Sequence, residues 1–440
     1  MKDIKVSVIM PVYNAANYLE ESLNDLLEQT YCNFEIICVN DGSTDKSQNI
    51  IEDFAKRDDR IKYISQSNRG GGAARNRGYD LSEGEYILFL DADDRFEKTL
   101  IEKTVSVAEH EKSDVLVFAA DEFHYMTKIR RPAPWLLQSG IDNYDGIPFH
   151  YTSTTVWNKL YRRDFLERNN IRHMDERVIA DTMYFTFFAL LMTSDISFLD
   201  EVLIHYRSEN PLSATRRHDS RPMDIITVLK AIWSRIECDM KLRKKISIYI
   251  NFAIKVLFER MSWFKSYDAF SQVYEALHSG GFVDIGLTDD HDQYIEDKNW
   301  WKLKRKIIEN DLSEFMFLRE KNYKDHGLLT KTVYILPDKI FNKLCEANCK
   351  VALYGAGMVG KSYFSQLQSI PVVSVVTWVD AQYDEIGFPV QSPNVLKNVN
   401  IDYIVIGIEH RRFLSEIENE LNKLGISQDK ILWAIPEKQI

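Results

Sequence analysis

Asp91-Ala92-Asp93-Asp94 places three carboxylates directly after the apolar run Tyr86-Ile87-Leu88-Phe89-Leu90. Packed carboxylates repel one another and shift one another's pKa, so such a cluster is relieved by solvent, by basic partners or by a divalent cation. Oxygen-only ligands suit Mg2+ or Mn2+, and an ion bridging a leaving diphosphate to a carboxylate stabilises the charge that develops there. A solvated acidic turn is the plainer alternative.

The elements that must position this turn are legible as a strand, turn and helix repeat. Tyr86 to Leu90 reads as a buried strand, and a strand ending on carboxylates delivers them to the edge where open α/β sheets bind ligands. Lys5 to Met10 is a second apolar run, with Pro11-Val12-Tyr13-Asn14 expected to stop it. Asn17-Tyr18-Leu19-Glu20 predicts a helix capped by Asn17, with Leu19, Leu23, Leu26 and Leu27 as its stripe. Phe34 to Val39 is the next strand, running into Asn40-Asp41-Gly42-Ser43-Thr44-Asp45, where Ser43 or Thr44 is expected to cap the following helix. A third strand, Ile61 to Ile64, leads to Gly70-Gly71-Gly72-Ala73-Ala74-Arg75-Asn76, small residues that let a ligand approach the backbone, then a cation. Such repetition predicts a parallel sheet with right-handed crossovers.

Val6 to Asn14, Val39 to Asp45, Ala74-Arg75-Asn76-Arg77-Gly78 and Phe89 to Asp94 resemble, in order and spacing, the motifs of the inverting family 2 glycosyltransferases of the GT-A fold. Four motifs in register are more specific than any one. The resemblance implies that Pro11, Tyr13, Asn14, Asp41 and Arg75 surround the nucleotide of a sugar-nucleotide donor, with Asp91 and Ala92 beside it. It implies Asp91 and Asp93 as the site of Mn2+ or Mg2+. Tyr13 can stack on a base and Asp41 can accept the imino hydrogen of uracil, so a UDP-sugar is the expected donor. Tyr13 as a strand end, and Arg75 as the partner of a sheet-edge carboxylate, remain open.

Val156 to Leu166 followed by Asp175 to Phe185 resembles the second half of the same catalytic domain, where a Glu-Asp pair opens a helix and the Asp is the general base. Here the pair reads Ala180-Asp181, so Asp181 is the expected base and the Glu is missing; a capping role for Asp181 is the alternative. Ile204 to Ser208, with Ser213 and Arg216, resembles the segment that closes the site. Asp94, Trp157, Lys159, His205 and Arg207 are candidates for acceptor contact or closure, His205 being either a metal ligand or a packed strand residue. Asp121 to Asp145 is expected to be a mobile or acceptor-contacting loop. The implied activity is a metal-dependent hexosyl- or N-acetylhexosaminyltransferase acting on a glycan or lipid-linked acceptor in surface polysaccharide synthesis.

With 440 residues, 45% apolar, the chain can bury two or three cores, and a net charge of -11 argues against nucleic acid as a partner. Five cysteines without a CxxC read as reduced thiols. Met1-Lys2-Asp3 runs straight into a strand, and no apolar stretch reaches the roughly 20 residues of a membrane span, so a cytoplasmic protein is expected. Trp300 to Ile308, two indoles beside four cations, and Lys241 to Lys245 leave peripheral docking on the inner membrane face open. The expected organisation is a GT-A domain over 1–221, a helical region over 222–348 and a small Rossmann-like domain over 349–440. The helical region either braces the first domain or shapes its acceptor site. In the last domain Gly355, Gly357 and Gly360 form a GxGxxG between strand and helix, and Asp380 ends the next strand. Nucleotide binding there, by a sugar-nucleotide or dinucleotide enzyme or sensor, is the competing reading; assembly alone is a third. Oligomeric state is not legible.

Overall fold

The computed structural model describes residues 4–124, 129–133, 136–137, 144–207, 218–264, 266–312, 314–316, 318, 333–345, 349–368, 370, 372–383, 389–408, 413–434 and 437–439. The chain divides into two compact units, Met1–Arg217 with Thr227–Ile248, and His218–Ile226 with Tyr249–Ile440.

The first unit is α/β. Its elements are β1 (Val6–Val12), α1 (Leu19–Leu27), β2 (Phe34–Asp41), α2 (Ser47–Ala55), β3 (Ile61–Gln66), α3 (Gly71–Leu81), β4 (Tyr86–Phe89), β5 (Arg95–Phe96) and α4 (Leu100–Glu111). There follow β6 (Val115–His124), β7 (Ile129–Pro132), β8 (Lys159–Arg162), α5 (Arg163–Arg168), α6 (Asp181–Met192) and β9 (Ile196–Arg207). The strands lie in the order β3-β2-β1-β4-β8-β6-β9-β5, with β7 on β6. β3, β2, β1 and β4 are parallel, and β8 is antiparallel to both β4 and β6. β1, β2 and β4 are buried almost throughout, as parallel strands covered on both faces must be. The chain winds outward from β1 to β3 and then returns to β4 on the other side of β1. In open α/β sheets the carboxyl ends of the strands at such a reversal, here β1 and β4, are where ligands bind.

Four local expectations are corrected. Pro11 does not stop β1, which continues to Val12 with Pro11 opposite Val39. Pairing with β4 ends at Ile9 opposite Phe89, so beyond that point only one side of β1 is paired and a residue without an N–H is tolerated. At α1 the cap position is Tyr18, not Asn17, and the Tyr18 and Leu19 amides donate to the Ala15 carbonyl. At α2 neither Ser43 nor Thr44 caps; Asp45 Oδ1 accepts from the Ser47 amide, while Ser43 Oγ accepts from the Asn14 amide. The segment 121–145 is partly strand, since β6 and β7 pair from Asp121 opposite Pro132 to His124 opposite Ile129. The remainder includes residues outside the described ones.

Of the helical stretch, residues 227–248 brace α6. Arg235 lies over the Phe188 ring at 4.2 Å and donates to the Asn169 carbonyl at 2.8 Å, and Lys245 donates to the Leu191 carbonyl.

In the second unit, helix Ile246–Trp263 buries Tyr249, Ile250, Ala253 and Leu257, and Phe258 stacks on Trp300 at 5.7 Å. Helix Lys298–Ile308 spends its charge at home. Lys304 is buried against Asp292, Arg305 lies 3.8 Å from Asp289, and Lys306 lies 3.1 Å from Glu309. The Trp301 indole also donates to Asp292, at 2.8 Å. Three of its five cations therefore face carboxylates, which leaves a weak positive field for an anionic surface. Among the described residues no helix is long and apolar enough to cross a membrane.

The C-terminal part of this unit is a parallel sheet of Val373–Val379, Cys349–Tyr354, Tyr403–Ile406 and Ile431–Leu432, in that order. Gly355 has φ +103°, and a Cβ on Gly360 would stand 1.8 Å from the Gly355 carbonyl oxygen. Gly407 closes the same contact, its own Cβ position being 2.6 Å from Gly360 Cα. Asp380 latches the turn, Oδ2 accepting from the Ala356 amide at 2.7 Å. These contacts are backbone on backbone, so Gly360→Ala is expected to destabilise this sheet by about 1–3 kcal/mol. Faster amide exchange in 349–354, with β1 to β4 unchanged, is the signature to measure.

Candidate active site

The acidic turn at the end of β4 is held from two sides. From α1, Ser22 Oγ is shared between the carbonyls of Ala92 at 3.0 Å and Asp94 at 2.6 Å. From β9, Arg207 Nε donates to the Asp93 carbonyl at 2.7 Å, and the Arg207 amide donates to Asp94 Oδ1 at 2.9 Å. The Arg207 guanidinium is fully buried, donates to Glu21 at 2.9 Å and lies 4.5 Å over the Tyr18 ring. Asp94 is buried with Oδ2 lacking a hydrogen-bond partner. Burial first, then the charges of Asp93 and Asp91, hold its carboxyl well above the ordinary range.

Asp91 and Asp181 are joined by one side chain. Arg75, on α3 and almost fully buried, donates from Nη2 to Asp91 Oδ1 at 2.7 Å and from Nη1 to Asp181 Oδ2 at 2.9 Å. Burial opposes the charge on Arg75, but Asp181 and Asp91 outweigh it and its pKa is raised. Asp181 opens α6, where a carboxylate is favoured by the helix dipole, and its Oδ1 accepts from the Thr182 amide at 2.9 Å. Its pKa is nevertheless raised: burial is the largest cause, Arg75 opposes it, and Asp91 adds to it.

The residues assigned to the nucleotide are placed as follows. Tyr13 is 44% exposed at the end of β1, free to stack. Asn14 has φ +51°, a conformation Asn tolerates, and its Oδ1 accepts from the Thr44 amide at 2.8 Å, so it ties the loops after β1 and β2 together. Asp41 Oδ1 accepts from Gln66 and from the Arg69 amide, and Oδ2 from the Gly70 amide, each at 2.8 Å. Its carboxylate thus fixes the entry to α3.

The closure candidates separate. His205 is buried, with Nδ1 2.7 Å from Asp121 and Nε2 2.9 Å from Glu97, and joins β9 to its neighbours. Trp157 is in the core, stacked on Tyr206 at 5.5 Å. Lys159 is fully buried and donates to the carbonyls of Ser153 and Thr155 and to Asn158 Oδ1, which fixes that turn; burial holds its pKa well below the ordinary range. Ser208, Ser213 and Arg216 lie outside the described residues.

Sequence reasoning missed Ser22 and Glu21. Ser22 carried a signal, because it stands three residues after Leu19 on the buried stripe of α1, where a polar residue needs a partner.

Residues 7–169 match the family described as Glycosyl transferase family 2. Over those residues this chain is similar to the family 2 glycosyl transferases. Residues 347–432 match the family described as C2185-like, N-terminal. EpsJ of Bacillus subtilis, named an uncharacterized glycosyltransferase, is 36% identical over 219 residues, 48% of this chain and 62% of that protein. The cholesterol galactosyltransferase of Borreliella burgdorferi is 31% identical over 217 residues, 46% of this chain and 60% of that protein. The chain thus spans less than two thirds of either relative. In fold it is similar to S. aureus TarS 1-349, solved in complex with UDP-GlcNAc, with a TM-score of 0.58 and 22% identity over 76% of this chain and 95% of that one.

Proposed function

We propose that the first unit is an inverting glycosyltransferase that moves a hexose or N-acetylhexosamine from a UDP-sugar to a hydroxyl of a glycan or lipid-linked acceptor. The observation that carries the reading is the Arg75 bridge, which gathers Asp91, within the residues that match the family 2 transferases, and Asp181, beyond them, into one cluster. The fold shared with a protein that binds UDP-GlcNAc supports the choice of donor.

In the proposed reaction the acceptor oxygen attacks the anomeric carbon, the carbon–oxygen bond to UDP breaks, and the acceptor proton passes to Asp181. Inversion follows from a single displacement. Asp91 and Asp93 supply the oxygen donors that suit Mg2+ or Mn2+, and the buried, unpartnered Asp94 Oδ2 marks a turn short of positive charge. The ion, when bound, neutralises charge on the leaving diphosphate. Among the described residues no group of three His, Cys, Asp or Glu is arranged to hold a metal, so Asp91 and Asp93 would be the protein's side-chain donors to the ion. Tyr13 stacks on the uracil.

Calorimetry of UDP-, GDP- and CMP-sugars and NAD(H) on the full chain, with and without Mn2+, tests this. A UDP-sugar is expected to bind in a Mn2+-dependent manner, and Asp93→Ala is expected to weaken that binding about 10–100-fold. Binding of one of these ligands that survives Asp93→Ala and is abolished by Gly357→Leu would favour the second reading. That reading rests on the open space facing Gly357 in the glycine turn of the C-terminal sheet, which we read as Rossmann-like.

A further inference from the structure

One face of α3 is devoted to the segment that carries Asp181. Gly71 and Arg75, and Gly72 and Asn76, are pairs one turn apart on the helix. A Cβ on Gly72 would stand 2.4 Å from the Met174 carbonyl oxygen and 3.3 Å from Asp181 Cβ. A Cβ on Gly71 would stand 2.9 Å from both Arg75 Nη1 and Asp181 Oδ2. The two glycines therefore make room for protein. Asn76 grips the start of the segment: its Oδ1 accepts from the His173 amide at 2.9 Å, and its Nδ2 donates to the His173 carbonyl at 2.9 Å and to Asp175 at 3.1 Å. Arg75 grips the end, at Asp181. Between them the His173 ring stacks on Phe185 of α6 at 4.2 Å and meets Phe89 of β4 edge-on at 5.0 Å.

We infer that α3 is the positioning helix for Asp181, with Arg75 and Asn76 as its positioning residues, and that Arg75 couples Asp181 to the donor-side carboxylate Asp91 instead of contacting the nucleotide base. A guanidinium is planar and presents donors to two carboxylates at once, whereas an ammonium at the same place is a single point charge. The charge balance of Asp91 and Asp181 is thus set by one group. This deepens the transferase reading and rests on it for the turnover measurement alone.

The test uses the full chain with Arg75→Lys and Asn76→Ala. Three readouts are taken: steady-state kinetics with the sugar nucleotide that wild type uses, calorimetry of UDP with Mn2+, and amide exchange over residues 173–182. Both variants are expected to lose about 10–100-fold in kcat, as misplaced reacting groups do. In Asn76→Ala donor KM and UDP affinity are expected to stay within about twofold, since a group that acts only on the chemical step leaves ground-state binding alone, while in Arg75→Lys, which also touches Asp91, UDP affinity is expected to fall by less than kcat. Exchange over 173–182 is expected to quicken in Asn76→Ala while β1 to β4 keep wild-type protection. Weakened UDP affinity with kcat retained in Arg75→Lys would return Arg75 to the nucleotide and overturn the inference, as would unchanged exchange in Asn76→Ala. A wild type that turns over no sugar nucleotide sinks the transferase reading and leaves amide exchange to decide this one.

Discussion

Asp181→Asn is expected to lower the transfer rate by about a thousandfold, within the range removed with a general base, while UDP affinity changes little. Asp181 accepts from the Thr182 amide at Oδ1 and from Arg75 at Oδ2, and asparagine keeps one oxygen for one of these two donors, so one tether at the start of α6 remains, but it cannot take a proton. The pH dependence carries its own sign. Burial and Asp91 raise the Asp181 pKa, with Arg75 opposing, and the base works only when ionised. Activity is therefore lost as pH falls through a value above the ordinary carboxylate pKa of about 3.9. Rates from pH 4 to 9 with saturating donor, together with UDP calorimetry on the variant, check both points; near-normal transfer by Asp181→Asn would remove it as the base.

The absent Glu before Asp181 gains meaning from the same geometry. Ala180 is buried at the cap position of α6 and has no side chain to offer. Orientation of Asp181 comes instead from α3, through Arg75, and from the close approach that Gly71 and Gly72 permit. Carboxylate placement is thus supplied by the helix packed directly against α6.

What the sequence made legible was local or periodic. Continuous apolar runs marked β2 and β4 because strands covered on both faces have no polar side to show. The acidic turn was readable because it follows such a run directly. The partners of Arg75 were not readable, because Asp91 and Asp181 meet it only through the crossover topology, and a lone Arg in a helix fits many surroundings. Pro11 misled because a proline is a breaker only where its missing N–H would be paired, and β4 stops short of it. The composition of 121–145 suggested a loop because register between β6 and β7, like any hairpin pairing, is not a property of either strand alone. His205 and Arg207 did carry a signal. They alternate with Ile204 and Tyr206, which belong to the core, so both polar residues share the opposite face of β9.

Arg207→Ala is expected to lower stability by about 3–5 kcal/mol, because removing one member of a buried charged network leaves the others uncompensated. The guanidinium is enclosed, donates to the Asp93 carbonyl and to Glu21, and covers the face of Tyr18. Asp94 keeps its bond from the residue 207 amide but loses the nearest positive charge opposing its own burial. Arg207→Lys restores a cation without the forked geometry, so it should recover part of the stability and little of the turn's order. Donor binding should fall with that order: the Asp93 carbonyl loses its tether, and weakening an outer-shell partner typically reduces metal affinity about 10–100-fold. Denaturant midpoints measured alongside Mn2+-dependent UDP binding separate the two effects. Wild-type midpoints in Arg207→Ala would mean that α1 and Ser22 hold the acidic turn without help from β9.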